Sequence, residues 1–341
     1  MRSAKKCLVW DLDNTLWDGV CLEGSVRVKE EVADTVAELD RRGILHSIAS
    51  RGDEDLAMST LRENGLDGFF LAPQINWLPK SRSIITIAKE LTLSFDAMAF
   101  IDDDPFERDQ IAYMLPSVLT LPAERAGELA TLAEFSPGEI TREASQRRQL
   151  YQAEMERKLA RQEFASRQEF LRSCKMQLSV RPMREDDIAR VLELMTRTHQ
   201  LNTTGLLWDR TTLVDAFRGS PEGLTIMVAE LRDRFGWYGI VGTAIVERGK
   251  VPWRLKYLAV SCRVMGRGIE RAFLASIIHA GPDGSSPVEA EFRDTGRNRM
   301  MRALYQMMGF RTSAPGDDSG LLIFRALQDQ VPDIPRWVEV L

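Results

Sequence analysis

Cysteine and histidine are scarce in this sequence of 341 residues, which contains four cysteines and three histidines. The cysteines, Cys7, Cys21, Cys174 and Cys262, are widely spaced and form no CxxC pair. This spacing argues against a disulfide framework and against a zinc site, since both need cysteines in recognisable spacings. A chemical role for a single reduced thiol stays open.

Long apolar runs and an excess of positive charge are also missing. No stretch approaches the roughly 20 apolar residues that span a bilayer, and the basic start leads into only a few apolar residues before an aspartate, unlike a secretory signal. We therefore expect a cytoplasmic protein without a membrane partner. A net charge of −5 offers no general attraction for nucleic acid, so no nucleic-acid partner is expected.

Strand-length apolar runs alternate with helix-length amphipathic stretches over residues 6–125, from CLVWDLD and VKEEVADTVAELDRRG to KSRSIITIAKEL and MAFIDDD. This alternation predicts an α/β domain with a doubly wound parallel sheet. Ligands bind such sheets outside the carboxyl ends of the strands, so residues at those ends converge. Three predicted strands end in reactive side chains: Asp11 with Asp13, Ser50, and Asp102 with Asp103.

The DxD motif of Asp11 and Asp13 suggests phosphate chemistry. A carboxylate attacks a phosphate effectively when Mg²⁺ neutralises charge on both, so Asp11 is predicted as the nucleophile. Asp13 is predicted as the acid and base for the leaving oxygen and for water. Asp102 and Asp103 would complete the oxygen shell of the metal, although one of two adjacent carboxylates normally points away. The predicted magnesium ligands are Asp11, Asp13, Asp102 and Asp103.

Two hydroxyls and a lysine complete this predicted site. Thr15 and Ser50 are expected to bind phosphate oxygens, and Lys80 to place a positive charge on the pentavalent transition state. The order and spacing of DxDxT, the strand-ending serine, the lysine and the strand-ending DD resemble the haloacid dehalogenase (HAD) superfamily over about residues 6–125. The intervals before Ser50 and before Lys80 leave room for one helix each. We therefore expect no large cap domain and an open active site.

The composition changes after residue 136. Residues 137–176 are polar, rich in Arg and Gln, and predicted to form a helical linker, with a basic surface for an acidic partner as the alternative. Beyond it, mixed strands with few helices predict a compact α+β domain. The predicted domains are 1–136 for phosphate chemistry, 137–176 for the linker, and 177–341 for handling an acyl or pantetheine group.

A glycine-rich turn lies between a strand and a helix of this second domain. Arg263, Gly266 and Gly268 stand in R-x-x-G-x-G register, where glycines let backbone N–H groups approach a pyrophosphate or a phosphopantetheine at a helix N-terminus. A tight turn without a ligand is the alternative. Together with Asn298 on a later helix, the pattern resembles the GNAT acyltransferase fold over about residues 178–330. The predicted pantetheine or acyl binders are Arg263, Gly266, Gly268 and Asn298.

Cys262 directly precedes the glycine-rich turn, where a pantetheine arm would run in a GNAT-like cleft. It is therefore predicted as a catalytic residue that carries an acyl group, and a buried small apolar residue is the alternative. Cys21 follows the DxD motif in a loop that overhangs the active site in HAD folds, and it ranks second. Cys7 lies within the first strand and is expected in the core.

Both halves together are similar to the FkbH-like family of polyketide biosynthesis. The resemblance rests on KCLVWDLDNTLWDG, ASRGDEDLAM, PQINWLPKS, FIDDDPFERD, TRTHQLNTTG, RDRFGWYG, SCRVMGRG and RNRMM, and covers nearly the whole chain. It implies a glyceryl transferase/phosphatase that takes the glyceryl group of 1,3-bisphosphoglycerate, removes its phosphates and leaves the group on the phosphopantetheine thiol of an acyl carrier protein. The implied cofactor is Mg²⁺, and the product would supply a three-carbon unit, for example of the methoxymalonyl type.

Some positions depart from the common pattern of that family. Asp104 stands where an amide is expected, and Trp237 with Tyr238 makes one loop bulkier, which bears on the identity of the acyl group. Asp104 and Glu107 are expected to cap the helix that begins around Pro105. Two alternatives stay open: a stand-alone magnesium-dependent HAD phosphatase acting on a small phosphometabolite, and a GNAT-type acyltransferase on a vestigial HAD scaffold.

Overall fold

The chain forms two compact units, Met1–Met155 and Glu156–Leu341. A computed structural model describes residues 5–136, 140–219, 223–248, 252–280, 287–314 and 320–341. The division falls inside one helix, Arg147–Arg161, and therefore within the predicted linker 137–176. Residues 137–139 of that linker lie outside the described residues, and the predicted domain boundaries stay a prediction.

The first unit alternates strands and helices in the order that its apolar runs predict. Its elements are β1 Cys7–Trp10, β2 Trp17–Asp18, β3 Arg27–Val28, α1 Glu30–Arg41, β4 Leu45–Ser50, α2 Glu54–Glu63, β5 Gln74–Ile75, α3 Lys80–Glu90, β6 Met98–Asp102, α4 Pro105–Met114, β7 Leu119–Pro122, a 3-10 helix Ala123–Thr131, and α5 Arg142–Ser145. The helix α6, Arg147–Arg161, follows and runs through the division between the units.

Within the described part of this unit, five strands form a parallel sheet in the order β5-β4-β1-β6-β7. The central strand β1 is buried on both faces. Leu8 and Trp10 pack into one apolar core and Cys7 and Val9 into another, because successive side chains of a strand point to opposite faces. A strand covered on both faces is apolar throughout, which explains the unbroken run CLVW. The predicted doubly wound sheet is confirmed.

The connections around the sheet are short. Between Asp13 and Ser50 the chain forms the β2–β3 hairpin and α1, and between Ser50 and Lys80 it forms α2, a short 3-10 turn and β5. Residues 5–136 are described throughout, and these intervals contain no inserted domain. The predicted sheet domain without a large cap is therefore confirmed.

The second unit is built around a mixed sheet. Its elements after α6 are α7 Arg167–Ser173, β8 Met176–Pro182, α8 Ile188–Arg197, α9 Arg210–Arg218, β9 Leu224–Asp233, β10 Gly236–Glu247, β11 Trp253–Val260, α10 Ile269–His279, β12 Pro287–Arg293, α11 Arg299–Met307, β13 Arg311–Ala314, β14 Leu321–Leu327 and β15 Val338–Val340. Among the described residues, eight strands join in the order β13-β14-β12-β11-β10-β9-β8-β15. The predicted α+β class of this domain is confirmed.

The strands β11 and β12 are parallel neighbours, whereas most pairs in this sheet are antiparallel. In the described residues, the segment Trp253–Leu255 of β11 pairs with Val288–Ala290 of β12. Beyond that point each strand continues without pairing to the other, so a gap opens between them. A membrane-spanning helix, long and apolar enough to cross a bilayer, is not found among the helices of the described residues.

Candidate active site

Three carboxylates meet at the carboxyl edge of the parallel sheet. Asp11 follows the central strand β1, and Asp102 ends the neighbouring strand β6. One ligand oxygen from each of Asp11, Asp102 and Asp103 lies within 4.8 Å of the others. Asp11 and Asp102 are buried and Asp103 is exposed. Residues about 90 positions apart in sequence thus share one site, because adjacent parallel strands end together.

Lys80 provides the positive charge of this cluster. Its Nζ atom lies 2.8 Å from Oδ1 of Asp11 and 2.6 Å from Oδ2 of Asp102, and its side chain is buried. Burial opposes the charge of Lys80, but the attraction of Asp11 and Asp102 outweighs it and raises the lysine pKa above its usual value. Burial in turn raises the pKa of Asp11 to about 6, against the opposing effect of Lys80.

The side chain of Asp13 has a different position from the other three predicted ligands. Its Oδ1 accepts hydrogen bonds from Nε1 of Trp17 at 2.8 Å and from the backbone N–H of Cys21 at 3.0 Å. These bonds hold the carboxylate toward the hairpin loop, outside the cluster formed by Asp11, Asp102 and Asp103. This placement suits a group that exchanges protons with a substrate more than one that binds the metal through its side chain.

The predicted phosphate binders Thr15 and Ser50 are both buried. Ser50 ends β4, next to β1, and its hydroxyl is placed to hydrogen-bond Asp11 and lower the pKa of that carboxyl group. The hydroxyl of Thr15 has no hydrogen-bond partner among the described residues. An unsatisfied buried hydroxyl is costly, and a phosphate oxygen is one group that would satisfy it.

The helix α4, which follows β6, contributes contacts that position Asp102 and Asp103. Its residue Arg108 was not predicted from the sequence as part of the site. Asp104 caps α4 by accepting a hydrogen bond from Phe106 N, as predicted. Glu107 was predicted as a second cap, which is wrong, because it pairs with Arg51 at 2.7 Å. Nη1 of Arg108 donates to the backbone oxygens of both Asp102 and Asp103, at 2.9 and 2.8 Å.

A shallow, solvent-open cleft lies beside the DxD motif. Its polar groups include those of Asp13, Ser50 and Arg51. Its wall also includes the thiol-bearing Cys21, whose Sγ is 3.4 Å from Oγ1 of Thr60. The apolar lining includes Leu12, Trp17, Leu22, Leu56 and Ile75. The cleft therefore combines a carboxylate, hydroxyl and guanidinium with a free thiol and an apolar wall.

The four cysteines are all free and occupy different environments. Cys7 is buried in the core of the first unit, and burial raises the pKa of its thiol to about 12. Cys174 is buried in the second unit. Cys21 is half-buried beside the active-site cleft, and Cys262 is exposed in the second unit. The prediction that Cys7 belongs to the core is confirmed.

The predicted pantetheine site of the second unit is built differently from the phosphate site. Cys262 and Arg263 begin a short 3-10 helix, and Gly268 caps α10 in a left-handed conformation with φ of 80°. Asn298 is fully buried at the start of α11. Its Nδ2 donates to the backbone oxygens of Asn202 and Arg293 at 2.9 Å, and its Oδ1 accepts from Thr295 N at 3.0 Å. This side chain is engaged within the chain.

Trp237 and Tyr238, the bulky residues noted in the sequence, also have partners within their own unit. Nε1 of Trp237 donates to Glu230 at 2.6 Å. The hydroxyl of Tyr238 donates to the buried carboxylate of Asp233 at 2.8 Å, and the guanidinium of Arg157 lies 4.1 Å from the Tyr238 ring. Both aromatic rings therefore have contacts within the fold of the second unit.

No family model matches the sequence, and no curated protein matches it. Among solved structures, the N-terminal part of the protein BF1531 from Bacteroides fragilis, containing a phosphatase domain complexed with Mg, is 31% identical over 40% of this chain and 41% of that chain, with a TM-score of 0.36. The ribosomal-protein-S18-alanine N-acetyltransferase from Escherichia coli is 17% identical over 43% of this chain and 90% of that chain, with a TM-score of 0.31.

A putative acetyltransferase of the GNAT family from Desulfovibrio desulfuricans is 20% identical over 44% of this chain and 99% of that chain, with a TM-score of 0.33. The chain thus spans about two fifths of the BF1531 structure and nearly all of the two acetyltransferases. At these TM-scores the likenesses carry no conclusion about the chemistry, which depends on the site itself.

Proposed function

We propose that the protein is a magnesium-dependent glyceryl transferase/phosphatase that moves the glyceryl group of 1,3-bisphosphoglycerate to the pantetheine thiol of an acyl carrier protein, and so supplies a three-carbon unit for polyketide biosynthesis. The observation that carries the phosphate half is the convergence of Asp11, Asp102 and Asp103 with the buried Lys80. The acyl half is supported by the thiol of Cys21 in the adjoining cleft.

The residues present fit a magnesium ion. Carboxylate oxygens are the hard ligands that Mg²⁺ prefers, and those of Asp11, Asp102 and Asp103 are close enough to share one ion. The buried, unpartnered hydroxyl of Thr15 fits a phosphate oxygen beside that ion. When bound, Mg²⁺ would neutralise the charge that otherwise keeps a carboxylate away from a phosphate.

The positions of these side chains support the following route of dephosphorylation. An oxygen of Asp11 attacks phosphorus and forms an acyl phosphate while the ester P–O bond breaks, and Asp13 supplies the proton for the departing alkoxide. Asp13 then takes a proton from water, which attacks phosphorus, releases inorganic phosphate and regenerates Asp11. The ammonium group of Lys80 stabilises the added negative charge in both steps. The hydrogen bonds of Asp13 to Trp17 and Cys21 orient it for this role.

We place the acyl step at Cys21, ahead of Cys262. Cys21 lines the same cleft as Asp13, and its own N–H donates to that carboxylate. Its thiolate would attack the acyl carbon of the acyl phosphate, form a thioester and release inorganic phosphate. The pantetheine thiolate of the carrier protein then attacks the thioester carbon, takes the glyceryl group and restores the Cys21 thiolate, which is reprotonated.

Intact-mass spectrometry tests this proposal. The full chain is incubated with 1,3-bisphosphoglycerate, Mg²⁺ and a pantetheinylated carrier protein, and both proteins are weighed. We expect a glyceryl adduct on the carrier with the wild type, none with Cys21→Ala, and an unchanged adduct with the control Cys262→Ala. An adduct that depends on Cys262 instead would move the acyl step to that residue. Absence of any carrier adduct with an enzyme that releases phosphate would overturn the transferase function.

A stand-alone phosphatase is the second candidate. The observation that favours it is that Asp11, Asp13 and Lys80 with the metal ligands form a complete phosphatase set without a thiol. Such an enzyme would release phosphate from a small phosphorylated metabolite at the same rate with and without carrier protein, and Cys21→Ala would leave that rate unchanged. A rate that rises with carrier protein and falls with Cys21→Ala would exclude it.

A further inference from the structure

In the glycine-rich turn of the second unit, other residues of the chain occupy the space beside the two glycines. Glycines let a ligand approach the backbone because they have no Cβ. At Gly266 the place of a Cβ atom is taken by the guanidinium of Arg167, whose Nη2 donates to Gly266 O at 2.5 Å. A Cβ atom at Gly268 would lie 3.2 Å from Cγ of Pro335. Both glycines also have positive φ, 75° and 80°, so the conformation of the turn and its internal contacts explain them without a bound diphosphate.

The C-terminal segment holds this turn further in place. Nε1 of Trp337 donates to the backbone oxygen of Arg267 at 2.7 Å. Glu270 lies in the first turn of α10 and is half-buried. Its carboxylate provides the negative charge that a helix N-terminus favours, and it lies near the positive charges of Arg167 and Arg271. The N-terminus of α10 is therefore already paired with an anion of the chain.

The gap between the parted strands β11 and β12 is also filled. Residues 201–203, from the segment RTHQLNTTG, bond to both strands. Leu201 O accepts from Val260 N at 2.9 Å, Thr203 N donates to Leu258 O at 3.0 Å, and Thr203 O accepts from Arg293 N at 3.0 Å. Edge groups that could bind an extended ligand by strand addition are thereby paired within the chain.

The inserted segment is locked by buried side chains. Asn202 and Thr203 are almost fully buried. Oδ1 of Asn202 accepts from Thr204 N and Gly205 N, and its Nδ2 donates to the hydroxyl of Tyr257 at 3.2 Å. Oγ1 of Thr203 accepts from Leu258 N at 3.0 Å. Withdrawal of this segment would leave several buried polar groups unsatisfied, which makes it a fixed part of the fold.

We propose that residues 201–203, together with the contacts of Arg167 and Trp337 with the glycine-rich turn, close the acyltransferase-like cleft of the second unit, so that this unit does not bind coenzyme A. A consequence follows for the acceptor, and it rests on the proposed function. The acceptor thiol belongs to a molecule that has no adenosine diphosphate group, and it reacts in the first unit. The alternative of a GNAT-type acyltransferase needs an acyl-CoA in this cleft, and the filled cleft argues against it.

Coenzyme A binding gives a test that needs no catalysis. Isothermal titration of the full chain with coenzyme A should give no saturable heat at millimolar ligand, while a GNAT acetyltransferase titrated in parallel binds. Saturable binding by this chain would overturn the proposal. The phosphatase rate of the same preparation is measured separately, so a failure of the proposed function is recognised independently.

Hydrogen exchange tests whether the segment is fixed. The amides of Thr203, Leu258 and Val260 should be protected in the free protein and unchanged by coenzyme A, whereas fast exchange that slows with coenzyme A would contradict a closed cleft. Thr203→Val removes a bonded hydroxyl and should lower Tm by about 2–4 °C and speed exchange at Leu258 about tenfold. Thr204→Val is the matched control, because the Thr204 hydroxyl has no partner within the described residues. Equal effects of the two variants would also count against the proposal.

Discussion

The Nζ atom of Lys80 lies 2.8 Å from Oδ1 of Asp11, on the carboxylate predicted to attack phosphate. The lysine begins α3 and reaches Asp102 as well, at 2.6 Å. One buried cation thus lies between two buried carboxylates, and its charge favours the ionised form of both against the effect of burial.

Removing this cation should affect catalysis strongly. Lys80→Met takes away the charge that stabilises the phosphoryl transition state, and we expect kcat/KM for phosphate release to fall by about 10² to 10³. Phosphate release from an acyl phosphate and from a phosphate ester measures the effect. Lys89→Met, exposed at the end of the same helix, is the control. If Lys80→Met keeps a rate within about threefold of the wild-type rate, Lys80 has no part in the mechanism.

Magnesium binding should depend on the three clustered carboxylates to different degrees. Millimolar Mg²⁺ should raise the Tm of the wild type, because a ligand at 100 times its Kd adds about 2.7 kcal/mol. Asp102→Asn should abolish this shift and Asp103→Asn should reduce it, since Asp103 is exposed. Asp109→Asn, an exposed residue of α4, should leave it unchanged. A full shift in Asp102→Asn would show that the metal binds elsewhere.

Arg108 should tune the site without contacting the substrate. Arg108→Met removes the hydrogen bonds to the backbone oxygens of Asp102 and Asp103, so we expect magnesium affinity to fall about 10-fold. Activity measured across a magnesium titration should recover at high Mg²⁺, because the residue acts by positioning. Arg62→Met changes an exposed arginine of α2 and serves as the control. A loss of activity that no Mg²⁺ concentration restores would point to a direct role.

His46 should make the first unit sensitive to acid. It is buried in β4, where Nε1 of Trp10 donates to its Nδ1 at 3.0 Å, and burial lowers its pKa from 6.5 to about 3. The contribution of neutral His46 to the free energy of unfolding is therefore complete above pH 6.5. It is lost as pH falls toward 3, by up to about 1.4 kcal/mol per pH unit. His46→Asn keeps an acceptor for Trp10 and should flatten this slope. Denaturant unfolding at several pH values measures it, and exposed His199→Asn should retain the wild-type slope.

Asn298 should prove structural. Asn298→Ala removes its bonds to Asn202, Arg293 and Thr295, and we expect a loss of about 2–3 kcal/mol in unfolding free energy. Arg299→Ala, the exposed next residue, should change stability by less than about 0.5 kcal/mol. Denaturant unfolding checks both values. Unchanged stability with Asn298→Ala would return this residue to the candidate ligand binders.

The candidate phosphate site could be predicted largely from sequence, because its residues end strands whose order is set by short connections. Asp11, Ser50 and Asp102 converge for that reason. Arg108, on α4, and Arg51, in the loop after β4, could not be identified in this way. A surface arginine has the same local sequence pattern whether it faces solvent or contacts another group of the protein. The difference between Cys21 and Cys262 is also one of environment, which spacing does not encode.

The sequence by itself determined the two fold classes and the carboxylate cluster, since apolar periodicity and strand-ending residues follow from local geometry. Tertiary structure alone decided which groups pack against the glycine-rich turn. The register R-x-x-G-x-G indicates only that a ligand or a part of the protein lies close to the backbone at Gly266 and Gly268. In this chain Arg167 and Pro335, distant in sequence, fill that space, because close packing accepts a side chain of the protein as readily as a ligand.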